Sequence, residues 1–414
     1  MSEEYTTTET IGWGQRVSSS FKGIIGGIVV VCGSIFLLIW NEHNAVQSHR
    51  SINEAKKLCI SAPSIEAVST VNANKLIHVS GLVEPSSGSS PLVDTKFQVT
   101  PPKPSLKLER EVEMYQWTQS SSTKETKKTG GSVERETSYT YHKEWVSHVV
   151  DASGFQFTSG HENPTSMPFA RNVWVVDGAT MGAFDVPSQI LDRMNWYQRL
   201  SPANYSVASL PPDTIGNRSV FVYQDEGYYF GNDPSYPRVG DTRVTFEYVP
   251  QQVVSIIAQQ TGSSLSAYIT SNKRSILLVE QGTVSAEEMF LHASKQAKLL
   301  AWLLRALGFF LLWMGFKAIV QPISVMGDVL PFLGNILQAG ADVVTFLLAL
   351  VISTLVIALS WLMFRPLLSI GCLAVVGGGS YCLWKRRRDQ KQQEEAEVYV
   401  PSSGAEATEK TNLV

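Results

Sequence analysis

The sequence predicts an α+β membrane protein with four transmembrane helices and a large β-rich lumenal domain between the first and second spans. Two observations predict this class. Long apolar runs are confined to Gly23–Trp40 and to residues 299–384, and Val343–Phe364 contains no charged residue. About 20 apolar residues cross the hydrocarbon core as a helix. Residues 41–298 are polar and mixed, with short alternating segments that are typical of β-strands.

Composition excludes several classes. A chain of 414 residues is too long for one small domain. Its formal net charge of −3 argues against a general nucleic-acid binder, which would be strongly basic. Of the four cysteines only Cys59 lies in the polar region, so neither a disulfide framework nor a cysteine metal site is expected there. We expect no cofactor and no direct contact with nucleic acid.

The N-terminal region holds the first span. Residues 1–22 are rich in Ser, Thr and Glu, which predicts a disordered cytosolic N-terminus. Residues 23–40 are predicted to be transmembrane helix 1. An uncleaved signal anchor is favoured over a cleaved signal peptide, because the run is long and ends in Leu38-Ile39-Trp40 instead of small residues.

Residues 41–298 are predicted to form the lumenal β-rich domain, which ends in an amphipathic connector helix. Two alternating aromatic segments, Glu111–Gln119 and Glu134–Val150, flank a Gly-Gly pair and predict a long hairpin. Asp185–Leu200 has helical periodicity and predicts a soluble helix. The capping box Ser285–Glu288 starts the connector helix, which runs on into the next apolar stretch without a breaker.

The C-terminal third is predicted to contain three more spans. Residues 318–342 are apolar but broken by Pro and Gly, which favours a piece on the membrane surface. The predicted segments are transmembrane helix 2 at 299–317, an interfacial or re-entrant segment at 318–342, transmembrane helix 3 at 343–364, transmembrane helix 4 at 366–384 and a charged cytosolic tail at 385–414.

The orientation follows from basic residues, which favour the cytosolic side of a span. The Lys385–Arg388 cluster places the tail in the cytosol, and four spans then place the N-terminus there too. Residues 41–298 are therefore expected in the lumen. Asn204 and Asn217, each in an Asn-X-Ser sequon, are glycosylation candidates that agree with this orientation.

Several residues are candidates for membrane or assembly contacts. Arg305 lies inside the second span, where a charge is costly and usually faces protein or water. It could reach the headgroups by snorkelling or make an intramembrane contact. Gly377, Gly378 and Gly379 allow close helix approach, either within the bundle or between copies. Arg365 separates the last two spans.

The polar region contains only weak candidates for metal-binding or catalytic residues. His142, Glu144 and His148 have the same strand parity and are weak metal candidates. Strand neighbours two apart lie almost 7 Å apart and no fourth ligand is evident, so a solvated strand face is the simpler interpretation. His161 and Glu162 could form an acid–base pair, although Gly160–Pro164 equally predicts a turn held by the Asn163 side chain.

Six ordered motifs carry a family resemblance. They are VEMYQW at 112–117, YTY at 139–141 followed by Glu144-Trp145, GHENP at 160–164, YPRVGDTRVTF at 236–246, SAEEMF at 285–290 and WLMFRP at 361–366. With one span before the domain and three after it, the chain resembles the transmembrane protein 43 family, also called LUMA, over about residues 20–385.

The resemblance implies a multi-pass protein of the endoplasmic reticulum and inner nuclear membrane with a large lumenal domain. It implies a non-enzymatic role in organising nuclear-envelope complexes, with self-association into a homo-oligomer. The expected partners are membrane lipids and nuclear-envelope proteins such as emerin-like and lamin-like proteins.

Three functional hypotheses follow. The first is a membrane scaffold. The second is an oligomeric ion channel or carrier, whose pore would be lined by Arg305 and by polar residues such as Ser353, Thr354 and Ser360. The third is a lumenal enzyme, which needs a preorganised acid–base or metal cluster that the sequence does not reveal.

Overall fold

A computed structural model of the protein describes residues 3–62, 64–200, 205–216, 218–223, 227–329 and 331–364, with Tyr381, Lys385 and Arg388. The chain forms two compact units, 1–353 and 354–414. The described helices are α1 (Trp13–Leu58), α2 (Ser188–Leu191), α3 (Pro212–Ile215), α4 (Ala286–Gly327) and α5 (Pro331–Phe364).

Two sheets and a small two-stranded ribbon contain the described strands. The strands are β1 (Glu3–Ile11), β2 (Ile60–Ser61), β3 (Leu76–Pro85), β4 (Ser105–Lys127), β5 (Val133–Val146), β6 (Asn172–Val175), β7 (Ala179–Met181), β8 (Phe184–Val186), β9 (Gln198–Arg199), β10 (Val220–Tyr223), β11 (Gly227–Phe230), β12 (Thr242–Pro250), β13 (Gln252–Thr261), β14 (Ser264–Ser266), β15 (Tyr268–Ile269), β16 (Ser275–Ile276) and β17 (Leu278–Gln281). One sheet runs β1-β5-β4-β12-β11-β10, with β6 on β4 and β9 on β12. The other runs β17-β13-β14-β8-β7-β3-β2, with β13 also paired to β3.

The strands between residues 60 and 285 are called the β-domain below; they fold around a main apolar core and a smaller one shared with α1 and α4. Residues of both sheets contribute, among them Val79, Leu108, Phe246 and Ile256, each at most 2 % exposed. Strand β12 shows the expected alternation, because Thr242, Val244 and Phe246 are buried and the residues between them are not. The prediction of a β-rich domain is confirmed.

Three described helices are long and apolar enough to cross a membrane: Trp13–Leu58, Ala286–Gly327 and Gly334–Phe364. They contain the first three predicted spans. Apart from Tyr381, the predicted fourth span, 366–384, lies outside the described residues, as do the Gly377–Gly379 stripe and Arg365. An α+β membrane protein is therefore confirmed, whereas the number of spans stays a prediction.

The structure corrects the expectation for the N-terminus. Residues 3–11 form β1, which pairs antiparallel with β5 along its whole length, and α1 starts at Trp13. The prediction of disorder over 1–22 is therefore wrong for residues 3–22. A Ser/Thr/Glu-rich segment lacks apolar residues for a core of its own, but here it is ordered by backbone pairing to a preformed strand.

Two further segments differ from expectation. Residues 318–327 continue α4 through Pro322, and α5 begins at Pro331, so 318–342 is largely helical; its depth in the membrane stays a prediction. The helix predicted over Asp185–Leu200 is reduced to the single turn α2. Ile190, Leu191 and Met194 are buried all the same, because the chain turns to place them in the core instead of aligning them on a helix face.

The long hairpin is confirmed. β4 and β5 pair from Met114↔Val146 to Lys127↔Val133. Gly130 and Gly131 at the turn have φ of +90° and +80°, which L side chains rarely adopt. The far end of the hairpin extends beyond the core, because residues 120–126 of β4 are all exposed.

Candidate functional site

Two of the helices that are long and apolar enough to cross a membrane, α1 and α4, pack against each other as an antiparallel pair. A Cβ on Gly27 would lie 2.8 Å from the Gly315 carbonyl oxygen, and a Cβ on Gly315 would lie 3.0 Å from the Gly27 carbonyl oxygen. Gly308 packs against Leu38 in the same way. Small residues let helix backbones approach closely in a membrane, so these glycines fix the contact along the spans.

One end of this helix pair carries a buried ion pair. Arg305 on α4 donates from Nε and Nη2 to the two carboxylate oxygens of Glu42 on α1, at 2.6 and 2.9 Å. Glu42 is 1 % exposed and Arg305 16 %. The Arg305 guanidinium also lies 4.8 Å from the Trp302 ring centroid. The neighbouring Asn41 donates from Nδ2 to the Ala301 carbonyl oxygen at 3.0 Å. Arg305 therefore makes a helix–helix contact.

The other end carries a second charged cluster. Asp328, 1 % exposed, accepts from Arg16 at 2.5 Å and from Lys127 at the end of β4 at 2.8 Å. Arg16 also donates to the Gly131 carbonyl oxygen at 2.6 Å. The Trp13 indole donates to the Val325 carbonyl oxygen at 3.0 Å. This cluster, called the tip cluster below, joins α1, α4 and the hairpin turn.

The two charged clusters bracket the apolar surface of the helix pair. Arg16 and Glu42 are 26 positions apart on α1, or about 39 Å along a helix axis. Between them Ile25, Val29 and Phe36 are 66–71 % exposed. A hydrocarbon core is about 30 Å thick, or roughly 40 Å with its interfaces. The spacing of the two clusters is therefore close to the thickness of a bilayer.

A three-stranded segment runs beside this helix pair. It comprises β1, residues 133–141 of β5 and residues 119–127 of β4, and is called the polar ribbon below. Its rows of neighbours are hydroxyl-rich: Thr7, Thr137 and Thr123 share one row, and Thr6, Ser138 and Ser122 the next. Both faces of the polar ribbon are therefore hydrophilic. Its turn is held in the tip cluster, so it extends from the β-domain to the N-terminal end of α1.

A cavity of ≈ 630 Å³ separates the polar ribbon from the helices. Its lining includes Arg16, Glu125, Lys127, Trp313, Lys317 and Asp342. Lys317 and Asp342 pair across it from α4 to α5 at 2.9 Å. Trp313 Nε1 is buried and finds no hydrogen-bond partner within the described residues. Charged side chains thus line the cavity within about one helical turn of Trp313, which lies inside the second predicted span.

The outer half of α1 is clamped to the β-domain. Arg274 donates to Ser48 Oγ at 2.9 Å and to Asn44 Oδ1 at 2.6 Å. The carboxylate of Glu54 accepts from the hydroxyl and the backbone amide of Ser271, which lowers the Glu54 pKa. At the end of α1, burial raises the pKa of the Cys59 thiol to about 11. The helix thus reaches the β-domain without a flexible joint.

The connector at the other side is equally continuous. Ser285 caps α4 with the expected capping box: its hydroxyl accepts from the Glu288 amide, and the Glu288 side chain accepts from Ser285. The helix then runs unbroken from Ala286 through the second predicted span to Gly327. Both the capping box and the continuation of its helix into the next apolar stretch are confirmed.

The weak metal candidates do not converge. His142 Nε2 and Glu144 Oε1 lie 3.4 Å apart, with side chains 43 % and 50 % exposed. His148 contributes its backbone oxygen, which accepts from Gln116. Within the described residues no group of three His, Cys, Asp or Glu could hold a metal ion. His142 and Glu144 form a solvated surface pair.

A turn is present at the start of Gly160–Pro164, where the His161 amide donates to the Thr158 carbonyl oxygen at 3.0 Å, but the Asn163 side chain does not hold it. The Asn163 side chain accepts from the Trp117 amide at 2.8 Å and donates to the Trp117 carbonyl oxygen at 2.9 Å, in the manner of a neighbouring strand. His161 is 1 % exposed, stacks on Tyr141 and donates from Nδ1 to the Phe157 carbonyl oxygen at 3.0 Å. Glu162 accepts from the Gly160 amide. These residues anchor the base of the polar ribbon.

Sequence reasoning missed the partners in both charged clusters. Glu42 is the first acidic residue after the first span, and Asp328 lies just beyond the second; an acidic residue at a span boundary facing a lone arginine is the signal that could have found them. The glycosylation candidates Asn204 and Asn217 lie outside the described residues.

These features define a multi-pass membrane protein whose β-domain is fixed to its spans by continuous helices. The family model for transmembrane protein 43 matches residues 114–366. The mouse transmembrane protein 43 is 31 % identical over 377 residues, covering 88 % of this chain and 90 % of that protein. The human protein is 30 % identical over 382 residues (89 % and 92 %), and a Drosophila melanogaster homologue 27 % over 369 residues (88 % and 94 %).

The chain belongs to the transmembrane protein 43 family. No solved structure gives a significant match.

Proposed function

We propose that this protein is a non-enzymatic scaffold of the endoplasmic reticulum and inner nuclear membrane, with its β-domain in the lumen. The observation that carries the proposal is the continuity of the helices α1 and α4. α1 runs from Trp13 to Leu58 and α4 from Ala286 to Gly327 without interruption, so the same two helices form the membrane contact and the attachment of the β-domain. A rigid display of one domain at a membrane suits a protein that holds others in place.

The scaffold would act through self-association and through nuclear-envelope partners such as emerin-like and lamin-like proteins. The family resemblance supports these partner classes. The net charge of −3 agrees with protein and lipid partners instead of nucleic acid. Lamin-like proteins lie on the nuclear side of the membrane, so they would meet the tip cluster and the C-terminal tail, while lumenal partners would meet the β-domain.

Proximity labelling from each terminus tests the proposal. A promiscuous labelling enzyme fused to either end should tag nuclear-envelope proteins, whereas the same enzyme on a single-span reticulum anchor should not. Protease added to sealed microsomes should leave the β-domain core intact. Labelling that matches that of the single-span anchor would contradict the scaffold function. Digestion of the β-domain core in sealed vesicles would contradict the lumenal orientation.

An oligomeric ion channel or carrier is the second candidate. The observation that favours it is the polar ribbon and the charged cavity beside the apolar helix pair. Arg305 does not serve as a pore residue in this arrangement, because its guanidinium forms an ion pair with the Glu42 carboxylate. Ion flux through liposomes that contain the purified protein tests this function. Flux above that of empty liposomes supports a channel or carrier. Flux equal to that of empty liposomes contradicts it and favours the scaffold function.

A further inference from the structure

The polar ribbon has two open backbone edges. β5 lies in the middle, paired on one side with β1 and on the other with β4. The outer edge of β4 is occupied by β12 up to Met114 and by Asn163 at Trp117. Among the described residues, nothing pairs with the outer edge of β1 or with that of β4 over 119–127. Open edges of this kind are templates for pairing with another chain.

These edges lie at the depth of the membrane. The turn of the polar ribbon is bonded to Asp328, and Glu125 lines the same cavity as Trp313 of α4. The nine residues of β1 extend about 30 Å in a strand, which equals the thickness of the hydrocarbon core. Lipid offers no hydrogen bonds, and open sheet edges do not occur in contact with it. Something other than lipid must therefore cover both edges.

We infer that a second copy of this chain covers them, with β1 of one copy paired to the β4 edge of the next. This rests on the self-association proposed above and assigns the surface through which it occurs. One chain carries both edges, and both edges span the same rows of the polar ribbon. A contact between two different edges of the same protein is head-to-tail, and it leaves no open edge when the copies close into a ring.

The direction of the strands agrees with this pairing. β1 and β4 are each antiparallel to β5, so they run parallel to one another, and copies related by an axis along the membrane normal keep that direction. β1 of one copy therefore meets β4 of the next in parallel.

The ring encloses a hydrophilic interior inside the spans. Ser and Thr side chains occupy most rows of the polar ribbon, and the apolar faces of α1 and α4 at the same depth remain free for lipid. The polar ribbon thereby meets the condition under which non-helical backbone is tolerated at membrane depth, namely contact with protein or enclosed water.

Disulfide trapping tests the pairing. In a background without the four native cysteines, Thr7→Cys is combined in turn with one cysteine at each position from 120 to 126. Within one chain β5 separates residue 7 from residue 123 by about 9.6 Å of strand spacing, beyond the roughly 6.8 Å limit for a disulfide. Oxidation of native membranes with copper phenanthroline should therefore join different copies and give a ladder of covalent multimers.

We expect the yield to peak at one position and to fall sharply one residue away, because neighbouring side chains in a strand face opposite sides. The single variant Thr7→Cys is the matched control and should give no ladder beyond the dimer. Absence of a peak in a protein that remains oligomeric in mild detergent would overturn the edge pairing and leave self-association standing. A monomer in mild detergent and in membranes would instead overturn the self-association itself.

A second measurement tests the depth of the polar ribbon. Thr129→Cys, at its turn, should react with a membrane-impermeant maleimide added outside sealed microsomes. Ser153→Cys in the β-domain is the control and should react only after the vesicles are opened. Protection of residue 129 in sealed vesicles would overturn the inference, because the polar ribbon would then lie wholly in the lumen.

Discussion

Arg305 on α4 and Glu42 on α1 form a two-point ion pair, with hydrogen bonds of 2.6 and 2.9 Å. We predict that Arg305→Leu destabilises the protein by up to about 3 kcal/mol, because it removes the opposite charge bonded to the buried Glu42 carboxylate. The double variant Glu42→Leu/Arg305→Leu should recover much of this loss. Thermal unfolding in mild detergent measures both.

Lys298→Leu, an exposed basic residue on the same helix, is the control and should change little. Arg305→Lys should give an intermediate loss, because an ammonium cannot reproduce the two parallel hydrogen bonds of a guanidinium. Unchanged stability in Arg305→Leu would mean that the arginine only reaches the headgroups and that the pair contributes nothing.

Adjacent glycines on α1 should respond oppositely to substitution. A Cβ on Gly27 would lie 2.8 Å from the Gly315 carbonyl oxygen and 2.9 Å from Ile319, whereas a Cβ on Gly26 meets nothing within 4 Å. Gly27→Ala should therefore cost about 1–3 kcal/mol through overpacking. Gly26→Ala should be neutral or slightly stabilising, since Ala is the better helix former. Equal effects in thermal unfolding would contradict the close contact of α1 with α4.

Asp328 should control the order of the hairpin turn. Asp328→Asn removes the charge that holds both Arg16 and Lys127. We expect faster amide exchange over residues 125–133, measured by hydrogen–deuterium exchange with mass spectrometry, while β12 in the core stays protected. Asp342→Asn is the matched control, because its pair with Lys317 is 36–40 % exposed and contributes little. Similar exchange in both variants would show that the tip cluster does not hold the turn.

Cys59 should be a slow nucleophile. Burial raises its thiol pKa to about 11, so the protonated form dominates below that pH, and thiolate is more than about 100-fold scarcer at neutral pH than for an ordinary thiol. With the other three cysteines replaced, alkylation should accelerate about tenfold per pH unit up to pH ~10. Adding Ser153→Cys provides an exposed thiol whose rate should level off near pH ~9. A plateau of Cys59 itself near that pH would contradict its burial.

The sequence predicts what depends on neighbouring residues. Length and hydropathy identify three spans, Ser285–Glu288 predicts the start of α4, and two aromatic segments around Gly130–Gly131 predict the hairpin. Each of these signals lies within one stretch of chain. The local pattern therefore carries enough information to assign the element.

What the sequence does not predict depends on residues far apart in the chain. The Thr-rich segment 3–11 is typical of a disordered tail, and only its pairing with β5, some 130 residues later, orders it. Arg305 finds Glu42 at a separation of 263 residues. Gly26 and Gly27 are neighbouring glycines in the same apolar run, and only the position of α4 distinguishes their surroundings.

Because α1 is one unbroken helix, its two ends move together as a rigid body. A helix of 46 residues is about 69 Å long, so a tilt of about 5° pivoting at one terminus swings the opposite terminus by roughly 6 Å. Force applied to the folded domain on one side of the bilayer would therefore move the strand and turn attached at Trp13 and Arg16 on the other, with no intermediate messenger.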